Sequence, residues 1–206
     1  MKAASSPIES IGTGGDSLAR GVKSVSAGTS NARALTESRE FKGWFADSKV
    51  RDPSGNPLIM YHGTYTDFDV FDGEHLAHYF SPDPSQAGRQ AKDACEFASM
   101  DCVPFSPRIL PVYLKASNPF DPRNISCASL MKEWGLGEPV NYDFAEWVYL
   151  EDLAIVNKIR ALGYDGIWMR QGLAGYDSLA VFDPNQIKSA IGNNGAFDPT
   201  NPSITG

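Results

Sequence analysis

The chain has 206 residues, a formal net charge of −7 at pH 7 and three cysteines. This length suits one domain with its own core. The negative balance disfavours a nucleic-acid binder that depends on phosphate contacts, and an odd, irregular set of cysteines indicates reduced thiols rather than a disulfide framework. The sequence contains no run of about 18 apolar residues, so it does not predict a membrane-spanning helix.

The two ends of the chain differ in composition from its middle. Residues 1–36 are rich in Ser, Ala, Gly and Thr and contain no Trp, Phe or Tyr. Such a segment buries too little apolar surface to offset its loss of conformational entropy, so we predict a flexible N-terminal segment over 1–36 and a folded domain over 37–206. Residues 192–206, "GNNGAFDPTNPSITG", are turn-rich and predict coil along the surface.

The middle of the chain mixes helical and strand patterns. Helices are predicted over residues 40–49, 84–99 and 142–163. The first carries an apolar face, the second opens on Pro-Ser, and the third, the longest, is closed by Gly163. Strands are predicted over residues 58–62, 76–81, 109–117, 164–170 and 178–184. Pro111 makes the third strand an edge or bulged strand. Because helices and strands do not alternate regularly, the pattern predicts an α+β fold with a split, mostly antiparallel sheet and flanking helices.

Several motifs occur in the order of a known domain. They are "WFADSKVRDPSGNPLIMYHGT", "AHYFSPDPSQA", "ILPVYLKASNPFD", "GYDGI" and "AVFDPNQIKSAIGNNGAFDPTNP". Over roughly residues 38–202 the chain resembles the ADP-ribosyltransferase domain of phage polyvalent proteins and mobile-element effectors. That domain is similar to the diphtheria-toxin and poly(ADP-ribose)-polymerase branch, whose His-Tyr-Glu triad lies on a split sheet that cradles NAD.

The resemblance assigns cofactor-binding roles to "YHGT" and to Tyr79. It implies that His62 binds the adenosine ribose, that Gly63 offers its backbone to the nicotinamide carboxamide, and that Thr64 is the small hydroxyl residue beside them. It implies that Tyr79 stacks on the nicotinamide ring, as an electron-rich ring suits a cationic pyridinium. From the residues alone, "YHGT" favours a turn glycine at Gly63 and a half-buried histidine at His62, and a core aromatic is the alternative for Tyr79.

Two further residues follow Tyr79 in the motif. Ser81 closes "YFS" and is included among the residues expected to bind the cofactor, while Phe80 is expected to face the opposite side of the sheet. Arg89 lies where family members commonly place a second tyrosine. A guanidinium there suits the pyrophosphate of NAD, and an exposed helix arginine is the other interpretation.

The third triad position departs from the family. The resemblance implies a glutamate four residues before Phe182, where this chain has Ser178, with Asp177 as its neighbour. A carboxylate there stabilises the oxocarbenium-like ribose and can serve as general base, whereas serine supplies no charge. Three interpretations stay open: Asp177 acts as the acid through a β-bulge, another residue supplies the acid, or the domain binds NAD without turnover.

Other polar residues receive plainer interpretations. His75 and His78 with Cys95 and Cys102 lack the tight spacing of a zinc site, and two histidines at this separation in one strand face opposite sides, so no metal is expected. The remaining polar and apolar positions near the end of the domain are predicted to be structural: Asp165, Asn185, Gln186 and Ile187.

The resemblance thus implies a mono-ADP-ribosyltransferase, acting as a phage or bacterial effector or toxin, that moves ADP-ribose from NAD to a macromolecule. The alternatives are a degenerate NAD-binding module of the same fold and an NAD glycohydrolase. The expected partner is a protein rather than a nucleic acid or a membrane. The expected location is the cytoplasm, either of the producing cell or of a target cell into which the chain is delivered.

Deletion of residues 1–36 tests the predicted domain organisation. We expect the remaining domain to fold, with a free energy of unfolding changed by less than about 0.5 kcal/mol, because the deleted residues carry no aromatic anchor. Urea denaturation of the two chains, followed by circular dichroism, measures the difference. A loss of several kcal/mol would show that the segment is part of the core.

Overall fold

The computed structural model describes residues 34–71, 75–99, 107–123, 129, 132–135, 152–171 and 176–206. Three α-helices of at least seven residues and one 3₁₀-helix flank the strands of this part of the chain. They are α1 (Arg39–Phe45), α2 (Pro84–Ser99), α3 (Leu153–Ala161) and the 3₁₀-helix Pro184–Gln186. None of the helices within these ranges combines the length and the apolar composition that a membrane crossing requires.

The strands form two separate sheets. In chain order they are β1 (Met60–Thr64), β2 (His78–Phe80), β3 (Arg108–Leu114), β4 (Pro119–Phe120), β5 (Gly166–Gln171), β6 (Tyr176–Val181) and β7 (Ile187–Ser189). The small sheet has three strands in the order β1-β3-β7 and is antiparallel throughout. The large sheet has four strands in the order β2-β6-β5-β4, in which β4 and β5 are parallel. The predicted α+β class with a split, mostly antiparallel sheet is confirmed.

A short bridge joins the two sheets. The N–H of Tyr61 on β1 donates to the carbonyl of Ser81 over 2.8 Å, and the N–H of Ser81 donates back to the carbonyl of Tyr61 over 2.9 Å. This reciprocal pair is the pattern of a hydrogen-bonded antiparallel position, so the edge of β1 meets the end of β2 there.

Several predicted boundaries are corrected. β1 does not end at His62 but continues through Gly63 and Thr64, and β2 begins only at His78. The predicted helix over 84–99 matches α2. The helix predicted over 142–163 begins at Leu153, because Asp152 has extended backbone dihedrals and its side chain caps the helix by accepting from the N–H groups of Ala154 and Ile155. Residues 142–151 lie outside the described part of the chain.

Pro111 lies in a central strand that pairs with β1 residue by residue, without a bulge, so the prediction of an edge or bulged strand was wrong. β3 lies between β1 and β7. Pro111 faces Tyr61 across the ladder, and the polar backbone groups of Tyr61 point the other way, to Ser81. Toward β7, the carbonyl of Pro111 accepts from Ala190, one residue beyond the end of that strand. The missing N–H therefore interrupts neither ladder.

The core consists of three clusters. The first lies between the two sheets and includes Met60 and Leu114 of the small sheet and Phe80 and Leu179 of the large sheet. The second packs α3 against the large sheet through side chains such as Ile155. The third packs the aromatic face of α1 against β3 and the end of the chain, and it contains these residues: Phe41, Trp44, Phe45, Tyr113, Ala190 and Phe197.

The end of the chain is coil, as predicted, but it is not confined to the surface, because part of it is buried in the core. The segment is mostly irregular, yet Phe197 is 1% exposed and packs edge-on against Phe41 with ring centroids 5.0 Å apart. Ile204 is buried in the first cluster. Two apolar side chains in a turn-rich segment thus supply the burial that its composition does not indicate.

The predicted flexible segment stays a prediction, because residues 1–33 lie outside the described part of the chain. Residues 34–37 form a helical turn, and Leu35 packs partly buried against the third cluster. A deletion that stops at residue 33 therefore keeps this contact and is the cleaner form of the truncation.

The predicted structural roles near the end of the domain are confirmed. The carboxylate of Asp165 accepts from the N–H groups of Ser117 and Asn118 over 2.6 and 3.0 Å. The amide of Gln186 donates to the carbonyls of Lys115 and Asp165, each over 2.8 Å, and its oxygen accepts from the N–H groups of Phe182 and Asp183. Ile187 is fully buried, and Asn185 lies in the capped 3₁₀-helix.

Truncation of Phe197 to alanine tests the role of the chain end. We expect the free energy of unfolding to fall by about 3–5 kcal/mol, because a buried phenylalanine is replaced by a cavity. The matched control is Ile191→Ala, whose side chain is 78% exposed and which should change the value by less than about 0.5 kcal/mol. Equal effects of the two substitutions in urea denaturation would contradict the assignment.

Candidate active site

A cavity of about 430 Å³ opens beside the bridge between the sheets. This is within the range of roughly 300–1,000 Å³ of pockets that bind small molecules. All three histidines of the chain line it. The lining comes from β1, the loop after it, the start of β2 and α2: His62, Gly63, Thr64, Tyr65, Thr66, Phe68, Val70, Phe71, His75, Ala77, His78, Tyr79 and Ala94.

A hydrogen bond selects the tautomer of His62. Its Nδ1 lies 2.9 Å from the carbonyl oxygen of Tyr79, which can only accept, so Nδ1 carries a proton, and in the neutral ring Nε2 keeps its lone pair. Burial lowers the pKa of His62 below its ordinary value, and nearby His75 lowers it further against the opposing effect of the Tyr79 carbonyl. At neutral pH the ring is uncharged and offers a single acceptor.

Glycine is required at position 63 by the packing of α2 against β1. A Cβ at this position would lie 2.0 Å from the carbonyl oxygen of Ala87 and 2.7 Å from the amide nitrogen of Ala91. Both are backbone atoms of α2 that cannot swing away, so only glycine lets the helix lie against β1. Gly63 lies inside β1 and is not among the glycines with positive φ, so its interpretation as a turn glycine was wrong.

The backbone of Gly63 is also oriented toward the cavity edge. The N–H and C=O of a strand residue point to the same side, and residues two apart share that side. Tyr61 points both groups to Ser81, so Gly63 presents its N–H and C=O along the same edge of β1, just beyond the bridge.

Tyr79 is one of the residues that line the cavity from β2. It pairs with Ala180 of β6 and packs partly buried against the second core cluster. Phe80, its neighbour, is buried in the first cluster on the opposite side of the sheet, as the alternation predicts.

The other predicted cofactor-binding residues are divided. Thr64 lines the cavity, and its hydroxyl accepts from the N–H of Thr66 over 3.2 Å. Ser81 is fully buried outside the lining, where its hydroxyl donates to Gln86 over 2.9 Å and accepts from the N–H of Asp83 over 3.0 Å. Arg89 is exposed on α2 and lies outside the lining as well. Geometry thus groups Thr64 with His62 and Tyr79 and gives Ser81 a turn-capping position.

Ser178 lies on β6 on the same face as Tyr79. Tyr79 pairs with Ala180, and Ser178 is two residues before Ala180 on the same face of β6. Ser178 is therefore the diagonal neighbour of Tyr79, and such neighbours are about 7–8 Å apart. The side chain is 1% exposed, and its hydroxyl has no hydrogen-bond partner among the described residues. Ser178 is not among the residues that line the cavity. Its strand, β6, is the neighbour of β2 on the side away from the bridge between the sheets.

Asp177 points to the opposite face. The pairing of β5 with β6 runs without interruption from Tyr176 to Val181, so the β-bulge that would turn Asp177 toward the Ser178 face is absent from this stretch. Its carboxylate accepts from Arg123 over 2.6 Å. Arg123 also makes a two-pronged contact with Asp121, over 2.7 and 2.6 Å, and lies 5.0 Å above the ring of Trp168.

Several cavity residues escaped the sequence analysis, and Phe68 and Phe71 are two of them. Phe68 and Phe71 pack edge-on with ring centroids 4.8 Å apart, and the ring of Phe71 lies 4.9 Å from that of His62. The motif "FDVF" over residues 68–71 is a signal only of apolar burial. Contact with a histidine 9 residues earlier in the sequence depends on how the loop folds back.

The arrangement of two mostly antiparallel sheets with flanking helices is that of an ADP-ribosyltransferase-like α+β fold. The family of ADP-ribosyltransferases in polyvalent proteins matches residues 52–197, which is more than half of the chain, and the chain belongs to it. No curated protein matches the chain, and no solved structure does.

Titration of His62 tests the proposed tautomer. Proton–nitrogen correlation spectra of the side chains should show the proton on Nδ1 and a pKa below 6.5, with a His62→Gln variant to assign the signals. Since the unfolded chain binds this proton first, stability attributable to His62 is present above pH 6.5 and is lost as the pH falls to the folded pKa. A ring that is doubly protonated at pH 7 would contradict this geometry.

Proposed function

We propose that this chain is a mono-ADP-ribosyltransferase that moves ADP-ribose from NAD to a macromolecular target, with a protein favoured over a nucleic acid. The observation that carries the proposal is the convergence of His62, the Gly63 edge and Tyr79 on one cavity in a member of this family. The proposed setting, a phage or bacterial effector acting in a cytoplasm, rests on the family alone.

Each of the three groups offers what one part of NAD requires. The Nε2 lone pair of His62 accepts a hydrogen bond from a ribose hydroxyl. The N–H and C=O of Gly63 match the acceptor and donor edges of the carboxamide. The ring of Tyr79 stacks on the cationic pyridinium, an attraction of about 1–2 kcal/mol. Because His62 is neutral, it does not repel that positive ring.

The proposed reaction places its electrostatic demand at the ribose. The bond between the nicotinamide nitrogen and C1 of the ribose breaks, and its electron pair leaves with nicotinamide. The positive charge that remains on the ribose is then taken up by a lone pair of the acceptor, which loses a proton. A carboxylate beside the ribose stabilises this charge, while the hydroxyl of Ser178 can only hold a ribose hydroxyl.

The position of Ser178 supports a slow enzyme. Its buried hydroxyl has no hydrogen-bond partner among the described residues and lies on the Tyr79 face, which suits contact with a ribose hydroxyl. Asp177 is the weaker candidate for the acid, because it lies on the other face and its charge is offset by Arg123. We interpret the two ion pairs of Arg123, with Asp121 and with Asp177, as a structural network.

A second candidate function is an NAD-binding module without turnover. The same Ser178 favours it, since the domain would keep the groups that hold NAD and lack the group that stabilises the transition state. An NAD glycohydrolase, with water as acceptor, differs from the transferase only in what attacks the ribose.

Substitution of Ser178 by glutamate tests the proposal. We expect NAD cleavage to rise by about 10²–10³-fold with little change in the dissociation constant of NAD, since the charge acts in the transition state. Nicotinamide release is the measurement, and mass spectrometry of candidate targets separates transfer from hydrolysis. A parent chain that binds NAD and releases no nicotinamide would favour the binding module.

Two asparagine variants serve as the matched control for Asp177. Asp177→Asn and Asp121→Asn each remove one carboxylate from Arg123, so structural effects should be alike. Both should keep the activity of the parent chain. Loss of activity in Asp177→Asn alone would identify Asp177 as the acid and overturn the role given to position 178.

A further inference from the structure

Lys188 is a fully buried lysine on β7, with 0% of its surface exposed. Its Nζ donates to the carbonyl oxygens of Asn201 and Ser203 over 2.7 and 2.8 Å. Burial lowers the pKa of Lys188, and the carboxylates of Asp198 and Asp69 oppose that shift. A buried ammonium is costly unless its protons are bonded, so Lys188 holds the segment 201–203 in a fixed place.

The segment that Lys188 holds is itself bonded to the loop after β1. The hydroxyls of Ser203 and Thr205 donate to the two oxygens of Asp69 over 2.6 and 2.8 Å. The N–H of Ile204 donates to the carbonyl of Asp69 over 2.8 Å, and Val70 pairs with Ser203 in an isolated antiparallel bridge. The side chain and the backbone of the loop are thus both fixed by the chain end.

Charge reinforces this link. Hydrogen bonds from Ser203 and Thr205 hold the pKa of Asp69 below its ordinary value, so the carboxylate is ionised at neutral pH. Bonds to an ionised acceptor are the stronger kind, and here they tie an irregular loop to an irregular chain end.

The loop supplies one wall of the cavity. Phe68 and Phe71 flank Asp69 and Val70, and all except Asp69 line the cavity. Phe71 lies edge-on to His62, and Phe68 lies edge-on to both, with its ring centroid 6.3 Å from that of His62. A chain of direct contacts therefore runs from Lys188 through Ser203 and Asp69 to the histidine.

We propose that Lys188 is a positioning residue of the cavity: through segment 201–205 and Asp69 it fixes Phe68 and Phe71 against His62, in the place where the dinucleotide is bound. The inference rests on the proposed function for the identity of the ligand. The contact of the wall with His62 is a property of the protein by itself and can be tested without NAD.

Three variants separate the role of Lys188 from a general effect on stability. Lys188→Met keeps the length of the side chain and removes the ammonium. The double variant Ser203→Ala, Thr205→Val cuts the link to Asp69 and leaves Lys188 in place, which keeps the test open if Lys188→Met does not fold. Lys42→Met, an exposed lysine of α1 that pairs with Glu37, is the matched control.

The measurement without NAD is the titration of His62 in each folded variant. Loosening of the aromatic wall exposes the ring to water, so its pKa should rise toward the ordinary value in the first two variants and stay unchanged in Lys42→Met. A role of Lys188 in stability alone would leave this pKa where it is in the parent chain, and that result would overturn the proposal.

The measurement with NAD is the dissociation constant from calorimetry. We expect it to increase about tenfold in the first two variants, with kcat changed less than about twofold, since the wall positions the ligand and does not touch the reacting atoms. Unchanged affinity and an unchanged His62 titration together would refute the positioning role. If the parent chain does not bind NAD while the His62 titration shifts as expected, the proposed function fails and the positioning role stands.

Discussion

The reciprocal backbone pair between Tyr61 and Ser81 is the contact on which the rest of the site depends. It joins the edge of β1 to the end of β2, and His62, Gly63 and Tyr79 of the cavity lie within two residues of it. One residue after Tyr61, the ring of His62 reaches across to the carbonyl of Tyr79 on the opposite sheet. One residue further, Gly63 directs its backbone along the same edge as Tyr61.

The position of α2 follows from the same contact. The hydroxyl of Ser81 caps the turn that leads into the helix by bonding Asp83 and Gln86, and the helix then returns across β1. Its backbone at Ala87 leaves no room for a side chain at Gly63. The glycine of "YHGT" is thus required by packing before any ligand is considered, and the backbone edge that it presents is a consequence of the strand.

Charge is arranged around the cavity rather than in it. Within the part of the chain that the structure describes, the lining contains no lysine, arginine, aspartate or glutamate, and His62 is neutral at pH 7. The ion network of Arg123 and the contacts between Lys188, the chain end and Asp69 lie outside the lining. They determine the shape of the neighbouring elements, while neutral hydrogen-bonding groups and aromatic rings form the surface that faces a ligand.

The sequence by itself determined what depends on short stretches of chain. The Pro-Ser start and helical pattern of α2, the apolar face of α1 and the alternation that separates Tyr79 from Phe80 were all predicted, because each reflects the geometry of one element. The order of "YHGT", "YFS" and "FDPNQIKS" indicated the family.

The tertiary structure alone decided which segments become neighbours. Phe197 is buried with a φ of 46°, a backbone conformation that local preference disfavours, because α1 and β3 offer it a packed site. Pro111 is tolerated in a central strand because Tyr61 turns its polar groups to Ser81, and the chain end fixes Asp69 from more than 130 residues away. Such contacts join residues far apart in sequence, so no local pattern records them.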